Sequence, residues 1–216
     1  MLEHQQEKIF VVGLPRTGTT SLCAAMLALG YKTAHTAYIE KAMQQAQVIA
    51  DTPIFNDYAV LARNYPQAKF IYLNRQMVHW LPSIRQLLER MMVNLHRTEG
   101  GFNPIIKRCY KAVFNPLTPE NIAQDDFLKS CYLAHKKHVF QCFSAQQQRL
   151  LEIELAEPSS FTRLIEFLNL PADSVSINGF DKMNIAGKVT AWNQIKHPLK
   201  IASTQNGRVD KLWYEL

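Results

Sequence analysis

One short stretch near the N-terminus, Gly13 to Ser21 (GLPRTGTTS), constrains the fold of this chain more than any other feature. It follows an apolar run, Ile9 to Val12, and precedes a helical pattern in which Leu22, Met26 and Leu29 recur at i, i+4 and i+7. An apolar run that stops at glycine is typical of a buried strand, and a serine and threonine cluster before apolar periodicity is typical of a helix start. The sequence therefore predicts a strand, a tight turn and a helix N-terminus in direct succession.

The loop that joins this strand to this helix is predicted to bind an anion. The first amides of a helix have no partner within the helix, and the positive end of the helix dipole points at the same place, which suits phosphate. Gly13 and Gly18 have the spacing of a nucleotide-triphosphate loop, but Thr19 stands where that pattern requires lysine. Arg16 is the only cation in the loop. A strand-to-helix turn without any ligand is the alternative.

The residues from Pro15 to Thr20 resemble the 5′-phosphosulfate loop of sulfotransferases, whose pattern is Pro-[Lys/Arg]-[Ser/Thr]-Gly-Thr-Thr, without a mismatch. The resemblance implies transfer of a sulfuryl group from 3′-phosphoadenosine 5′-phosphosulfate to a hydroxyl, or less favourably an amine, of a small-molecule or glycan acceptor. It also implies 3′,5′-bisphosphoadenosine as the product, no metal, and a catalytic role for Arg16 as a cation that stabilises the leaving oxygen. The residues that it implies for binding the 5′-phosphosulfate are Arg16, Thr17, Gly18, Thr19, Thr20 and Ser21.

Strand and helix patterns alternate along the rest of the chain. After the first strand, further strands are expected at 31–35, 48–50, 69–73 and 150–155. After the first helix, further helices are expected at 40–47, 56–65, 81–95, 125–149 and about 160–170, and residues 100–119 are expected to be loop-rich. This alternation predicts a three-layer P-loop-type α/β fold with a central four- or five-stranded parallel sheet, whose ligands lie beyond the carboxyl ends of the strands. We expect one domain over residues 1–216, in which an irregular tail, 178–216, covers the cofactor site.

Arg75 and Ser83 form a second candidate site. Arg75 follows a clear strand pattern, and Ser83, eight residues on, is expected in the first turn of the next helix, where Pro82 is tolerated. In sulfotransferases a strand-Arg-x7-Ser spacing holds the 3′-phosphate of the donor, so the resemblance implies that role here. An arginine fork and a hydroxyl at a helix start both suit phosphate. A surface or structural role is the alternative for Arg75 taken alone.

A third stretch, in the tail, resembles more weakly the family segment in which a phenylalanine stacks on adenine and an Arg-Lys-Gly run contacts the 3′-phosphate. Phe180, Met183, Gly187 and Trp192 fall in register, and the resemblance implies cofactor contacts for Phe180 and Gly187. Ile185-Ala186 replaces the Arg-Lys pair, which leaves Lys188, on the other side of Gly187, as the substitute. A tail that packs on the core through its aromatic residues is the alternative.

Sulfuryl transfer requires a base for the acceptor's proton. Asp51 falls in register with the catalytic histidine of the cytosolic sulfotransferases, although an aspartate near its usual pKa of about 3.9 is a poor base unless burial raises that pKa. His35, with an ordinary pKa of about 6.5, is the better base by residue type, and its distance from Arg16 resembles that of the catalytic glutamate in tyrosylprotein sulfotransferases. Paired action of the two is a further interpretation. The alternatives are a turn cap for Asp51 and a half-buried structural histidine for His35.

Composition and charge argue against a nucleic-acid-binding, disulfide-rich, metal-binding or membrane protein. The 216 residues carry a net charge of +6 with a pI near 9.1, which suits a polyanionic ligand, and no nucleic-acid motif accompanies the basic residues. The four cysteines lack metal or disulfide spacing, and no stretch suits a signal peptide or membrane span, so a soluble cytoplasmic protein is expected. His135 and His138 are expected on a solvated helix face rather than at a metal. A nucleotide or small-molecule kinase and a non-catalytic nucleotide-binding relative are the alternatives.

Overall fold

The computed structural model of the protein describes residues 7–171, 175, 177–180, 184–185, 188–189 and 192–212. A five-stranded sheet forms its centre, and every pair of neighbouring strands in it is parallel. In chain order the strands are β1 (Ile9–Val11), β2 (Thr33–Ala34), β3 (Val48–Ile49), β4 (Lys69–Asn74) and β5 (Leu150–Glu154). Their spatial order is β2-β3-β1-β4-β5, which confirms the predicted parallel α/β fold and gives the sheet five strands.

Helices flank this sheet on both faces. In chain order they are α1 (Thr19–Ala28), α2 (Glu40–Gln45), α3 (Ile54–Asn64), α4 (Met77–His96), α5 (Pro104–Val113), α6 (Pro119–Ile122), α7 (Asp125–Cys142) and α8 (Ser160–Leu168). Phe10 of β1 joins a buried cluster with residues of α3, α4 and α7, whereas Ile9 and Val11 join a second cluster with residues of α1 and α8. β1 is therefore buried on both faces, and the fold has the three predicted layers.

α4 begins before its predicted start, which changes the surroundings of two residues. The sequence predicts a helix start at Leu81, but α4 begins at Met77, after Gln76, whose side chain makes no cap hydrogen bond. Serine, threonine, aspartate and asparagine are the residues that mark a helix start in a sequence, so this boundary carries no such signal. Pro82 consequently lies inside the helix, and Ser83 lies in its second turn rather than its first.

The region predicted to be loop-rich, residues 100–119, contains α5. Asn103 precedes this helix, and its Oδ1 accepts a hydrogen bond from the amide of Ile106 at 2.9 Å, while Pro104 occupies the first helical position. Asparagine followed by proline is a favourable helix start, and the surrounding glycines and prolines concealed it. Two other helices are shorter than predicted, since α2 ends at Gln45 and α7 ends at Cys142.

The tail contributes a short hairpin and a segment along the edge of the sheet. β6 (Asn184–Ile185) and β7 (Lys188–Val189) pair in antiparallel fashion. Farther along the chain, Lys200 forms a parallel bridge with Thr33 of β2, and Leu212 is fully buried in the larger hydrophobic cluster. The tail is therefore anchored at the β2 edge of the sheet.

His135 on α7 is buried, which corrects the expectation that it lies on a solvated face with His138. The residue is 6% exposed, and its Nε2 donates a hydrogen bond to the carbonyl of Phe55 at 2.7 Å, whereas His138 is exposed. Its Nδ1 has no hydrogen-bond partner within the described part of the chain. Burial lowers the pKa of His135 from 6.5 to about 4, so the ring is neutral near pH 7.

Acidification is expected to destabilise the fold through His135. Because its pKa is lower in the folded state, the unfolded chain binds the extra proton between pH 6.5 and about 4, and the free energy of unfolding falls as the pH drops through this window. The full loss is roughly 3 kcal/mol. In urea unfolding, His135→Gln, which keeps a donor for Phe55, should show a shallower decline of this free energy with falling pH, while His79→Gln, which replaces an exposed histidine of α4, should keep the wild-type decline. Equal declines in wild type and His135→Gln would contradict this role.

Candidate functional site

The predicted site residues follow neighbouring strands at one edge of the sheet. The loop 13–18 follows β1, His35 and Arg75 directly follow β2 and β4, and Asp51 comes two residues after β3. These four strands are adjacent and parallel, so their carboxyl ends meet at the same edge. Open α/β sheets bind their ligands at this edge. The fold thus brings the loop, His35, Asp51 and Arg75 to one place.

The loop between β1 and α1 turns sharply because two glycines permit it. A Cβ atom added to Gly13 would lie 2.6 Å from the Cβ of Leu73, so only glycine allows the loop to pass this close to β4. Gly18 has a left-handed backbone with φ 110° and lies directly before α1. Arg16 also has a positive φ of 73°, which is uncommon for a residue with a Cβ atom and marks a strained position. The loop is therefore held in a shape that a side chain at either glycine would disturb.

The start of α1 presents backbone amides without partners. The first hydrogen bond of the helix runs from the amide of Leu22 to the carbonyl of Gly18, at 3.1 Å. The backbone amides from Gly18 to Ser21 donate no hydrogen bond to any acceptor among the described residues. Thr17 differs, because its amide and its Oγ1 both donate to the carbonyl of Leu14, at 3.2 and 2.7 Å. Consecutive free amides at the positive end of a helix dipole form an anion site.

One arginine, Arg16, belongs to this loop, and a second, Arg75, lies beside it. Neither forms an ion pair with a carboxylate in the described part of the chain. Nε of Arg16 donates to the hydroxyl of Ser83 at 2.8 Å, and Nη1 of Arg75 donates to the carbonyl of Arg16 at 2.6 Å. Burial lowers the pKa of Arg16, and the positive charges of Arg75 and Arg90 lower it further. Burial also lowers the pKa of Arg75. Cations that repel one another in this way fit a ligand with more than one anionic group.

Trp80 and Tyr132 hold this arrangement in place, and neither was predicted from the sequence. Trp80 is fully buried on α4, and its Nε1 donates to the carbonyl of Pro15 at 3.0 Å, which ties the helix to the loop. The hydroxyl of Tyr132 accepts a hydrogen bond from the amide of Arg75 at 3.0 Å. Trp80 lies three residues before Ser83, on the same face of α4. This i, i+3 spacing could have indicated from the sequence that Trp80 lies near the loop. Tyr132 carries no local signal, because 57 residues separate it from Arg75.

His35 and Asp51 meet at the first turn of α1. Nε2 of His35 lies 3.1 Å from the hydroxyl of Thr19 and 3.0 Å from the hydroxyl of Thr20. It lies 4.0 Å from Oδ2 of Asp51, which also accepts a hydrogen bond from Thr19 at 3.4 Å. Asp51 has a positive φ of 51°, which aspartate tolerates better than most residues. The two base candidates therefore belong to one cluster, and each side chain is only 15% exposed.

The surroundings of His35 favour a neutral imidazole. Burial lowers its pKa, the charge of Asp51 opposes that shift, and the charge of Lys200 adds to it. A neutral ring with its proton on Nδ1 accepts the hydroxyl hydrogen of Thr20 at Nε2, and it leaves Thr19 free to donate to Asp51. In this tautomer, which we assign from the hydrogen-bond network, Nε2 carries the lone pair that a general base needs.

Of the three tail residues predicted to contact the cofactor, only Phe180 is fully described by the structure. Phe180 packs edge to face on Phe161 of α8, with ring centroids 5.3 Å apart. Lys188 belongs to β7, but its side chain lies outside the described residues, as does the whole of Gly187. The ligand contacts expected for Phe180, Gly187 and Lys188 therefore stay predictions, as do those expected for the other site residues.

Nowhere among the described residues do three or more histidine, cysteine, aspartate or glutamate side chains gather to hold a metal ion. None of the described helices combines the length and the apolar character that crossing a bilayer requires.

A known protein family matches most of the chain. The family model described as Sulfotransferase domain matches residues 8–40 and 35–187. The matched region contains the loop, His35, Asp51, Arg75 and Ser83. No curated protein matches the chain.

Proposed function

Because the chain belongs to the family of sulfotransferase domains, and is thus a transferase of sulfuryl groups, we propose 3′-phosphoadenosine 5′-phosphosulfate as its donor and a hydroxyl of a small molecule or glycan as its acceptor. An amine is the less favoured acceptor. The observation that carries the proposal is the pair Arg16 and Arg75, which lie beside the free amides of α1 and lack a carboxylate partner in the described chain. A donor with anionic groups on both the 3′ and 5′ sides matches this pair of cations.

The donor supplies an activated sulfuryl group whose leaving group is a phosphate. We assign its 5′ side to the amides from Gly18 to Ser21 and to Arg16, which neutralises negative charge there. We assign its 3′-phosphate to Arg75 and Ser83. Ser83 accepts a hydrogen bond from Arg16, so its own hydroxyl hydrogen is left for the phosphate. This division places Arg16 between the two anionic groups, in agreement with its contacts to both Ser83 and Arg75.

We assign the acceptor's proton to His35 and Asp51. The lone pair on Nε2 of His35 accepts it, and Asp51, 4.0 Å away, stabilises the imidazolium that forms. In the reverse assignment Asp51 takes the proton and His35 orients the carboxylate, with the same contacts. Both assignments keep the base next to the hydroxyls of Thr19 and Thr20, at the helix start that holds the 5′ side of the donor.

The two rival functions have weaker support. A kinase loop requires lysine at the position of Thr19, and the hydroxyl of Thr19 instead donates to Asp51. A non-catalytic relative would have no use for the cluster of His35 and Asp51, two ionisable side chains that share a contact with Thr19.

Arg75→Ala is expected to weaken the binding of 3′,5′-bisphosphoadenosine about tenfold to a hundredfold, because it removes a charge-assisted donor to the 3′-phosphate. The affinity for adenosine 5′-phosphate, which lacks that phosphate, should change far less. Calorimetric titration without magnesium measures both affinities. Arg63→Ala, which removes an exposed arginine in the last turn of α3, controls for the change in net charge. Equal losses for both ligands would show that Arg75 does not recognise the 3′ position.

A further inference from the structure

Residues 192–203, the tail segment, lie along β2, the strand that His35 follows. The amide of Thr33 donates to the carbonyl of Leu199 at 3.0 Å, and the carbonyl of Thr33 accepts from the amide of Ile201 at 2.9 Å. The N–H and the C=O of Thr33 thus both bond to the tail segment, which extends the sheet beyond β2 by a short parallel pairing. The tail segment is therefore fixed to the strand at whose end His35 lies.

Trp192, at the start of the tail segment, lies against the imidazole of His35. The two rings are stacked, with centroids 5.5 Å apart and planes inclined by 28°. A stacked indole covers one face of the imidazole and restricts its rotation about the Cβ–Cγ bond. Such a rotation would move Nε2 away from the hydroxyl of Thr20, so the stacking preserves that 3.0 Å contact.

Lys200 holds Trp192 in this position. Its Nζ donates to the carbonyl of Trp192 at 2.6 Å and to that of Ile195 at 2.8 Å, and it lies 4.9 Å from the centroid of the indole ring. Its backbone is bridged to Thr33. The ammonium group therefore connects the tryptophan to β2 through hydrogen bonds and a cation–π contact.

We propose that Trp192 is a positioning residue for His35, held in place by Lys200, which keeps the imidazole at the hydroxyl of Thr20 and covers its face against water. The inference rests on the proposed function in one respect, since a fixed imidazole affects turnover only if His35 handles the acceptor's proton. The contact itself can be tested without donor or acceptor, because it controls how readily His35 binds a proton.

The charged groups that face His35 come from two elements packed against it. Asp51, after β3, favours the protonated imidazole, and Lys200, in the tail segment, disfavours it, while the hydroxyls at the start of α1 carry no charge. Burial has a larger effect on the pKa of His35 than the charge of Asp51 or that of Lys200. The indole of Trp192 contributes to that burial. Removing the indole or the ammonium group should therefore raise the pKa of His35 toward 6.5.

NMR titration of the histidine ring signals in the ligand-free protein tests this, with His35→Gln identifying the signal of His35. The pKa of His35 should rise in Trp192→Ala and in Lys200→Met, and Trp192→Phe, which keeps an aromatic ring, should retain most of the wild-type shift. Lys196→Met, which removes an exposed lysine of the same segment, should leave it unchanged. In parallel, single-turnover transfer should fall about tenfold in Trp192→Ala. The affinity for 3′,5′-bisphosphoadenosine should not change.

An unchanged pKa of His35 in Trp192→Ala and Lys200→Met would overturn the positioning role, whatever the transfer rates. If Trp192→Ala fails to fold, Trp192→Leu, which keeps an apolar side chain but lacks the aromatic ring, takes its place in the same titration. A raised pKa in the tail variants, combined with normal turnover in His35→Gln, would support the contact with Trp192 and reject His35 as the base. Failure of the inference and failure of the proposed base are thus separate results.

Discussion

Asp51→Asn is expected to slow single-turnover sulfuryl transfer by about a hundredfold to ten-thousandfold and to leave the affinity for 3′,5′-bisphosphoadenosine nearly unchanged. Asparagine keeps the size of the side chain but removes the carboxylate that lies 4.0 Å from Nε2 of His35 and accepts hydrogen bonds from Thr19 and Thr52. In the proposed mechanism this group acts on the acceptor's proton and makes no contact with the phosphates, so the loss should fall on the chemical step.

The matching variant is His35→Gln, and donor binding is measured in parallel for both. We expect Asp51→Asn to be the more damaging of the two, as in the reverse assignment in which Asp51 takes the proton, because the predicted register places Asp51, and not His35, at the catalytic histidine of the cytosolic sulfotransferases. Because burial lowers the pKa of His35, the acid limb of the wild-type rate should lie below pH 6.5. Asp126→Asn, which removes an exposed carboxylate of α7, is the control. Near-wild-type turnover in both site variants would place the base elsewhere.

Arg16→Ala is expected to lower the transfer rate by about a hundredfold to a thousandfold. The guanidinium is the cation of the loop itself, and its bond to Ser83 fixes it beside the free amides of α1. In the proposed mechanism, its removal takes away the charge that stabilises the leaving oxygen. Unlike the base variants, Arg16→Ala should also weaken donor binding, since a cation that contacts the 5′ side does so before the reaction as well as during it.

Arg16→Lys separates charge from geometry. Lysine keeps the charge but lacks the planar fork, so its transfer rate should lie between those of wild type and Arg16→Ala. Rapid-quench transfer assays and calorimetric donor binding measure the two effects, with Arg63→Ala as the control for net charge. A wild-type rate in Arg16→Ala would exclude the guanidinium from the mechanism.

The parts of the site that the sequence predicts depend on local patterns. The apolar run before Gly13 and the hydroxyl cluster after it predict a strand, a turn and a helix start within a short stretch, and this prediction needs no contact with distant residues. The proximity of His35 and Asp51 follows from the same kind of signal. Each comes at the end of a short extended pattern, and parallel neighbours such as β2 and β3 bring their carboxyl ends together.

The parts that the sequence did not predict depend on contacts between distant residues or on weak boundaries. Ser83 was expected in the first turn of a helix, but an uncapped start places it in the second turn, where it bonds to Arg16 across 67 residues. Tyr132 and Trp192 reach the site from α7 and from the tail, and no spacing in the sequence reports such a contact. The start of α5 at Asn103 was different, because its signal was present and the glycine- and proline-rich surroundings outweighed it.

Thermal-shift measurements most directly test whether the site takes a nucleotide with anionic groups on both its 3′ and 5′ sides and needs no metal to do so. The panel compares 3′,5′-bisphosphoadenosine with ATP and GTP, each with and without magnesium. We expect 3′,5′-bisphosphoadenosine to stabilise the protein without magnesium, by roughly 2.7 kcal/mol at a concentration about one hundred times its dissociation constant. No shift with this ligand, together with a magnesium-dependent shift with ATP, would contradict the proposed donor and favour a kinase.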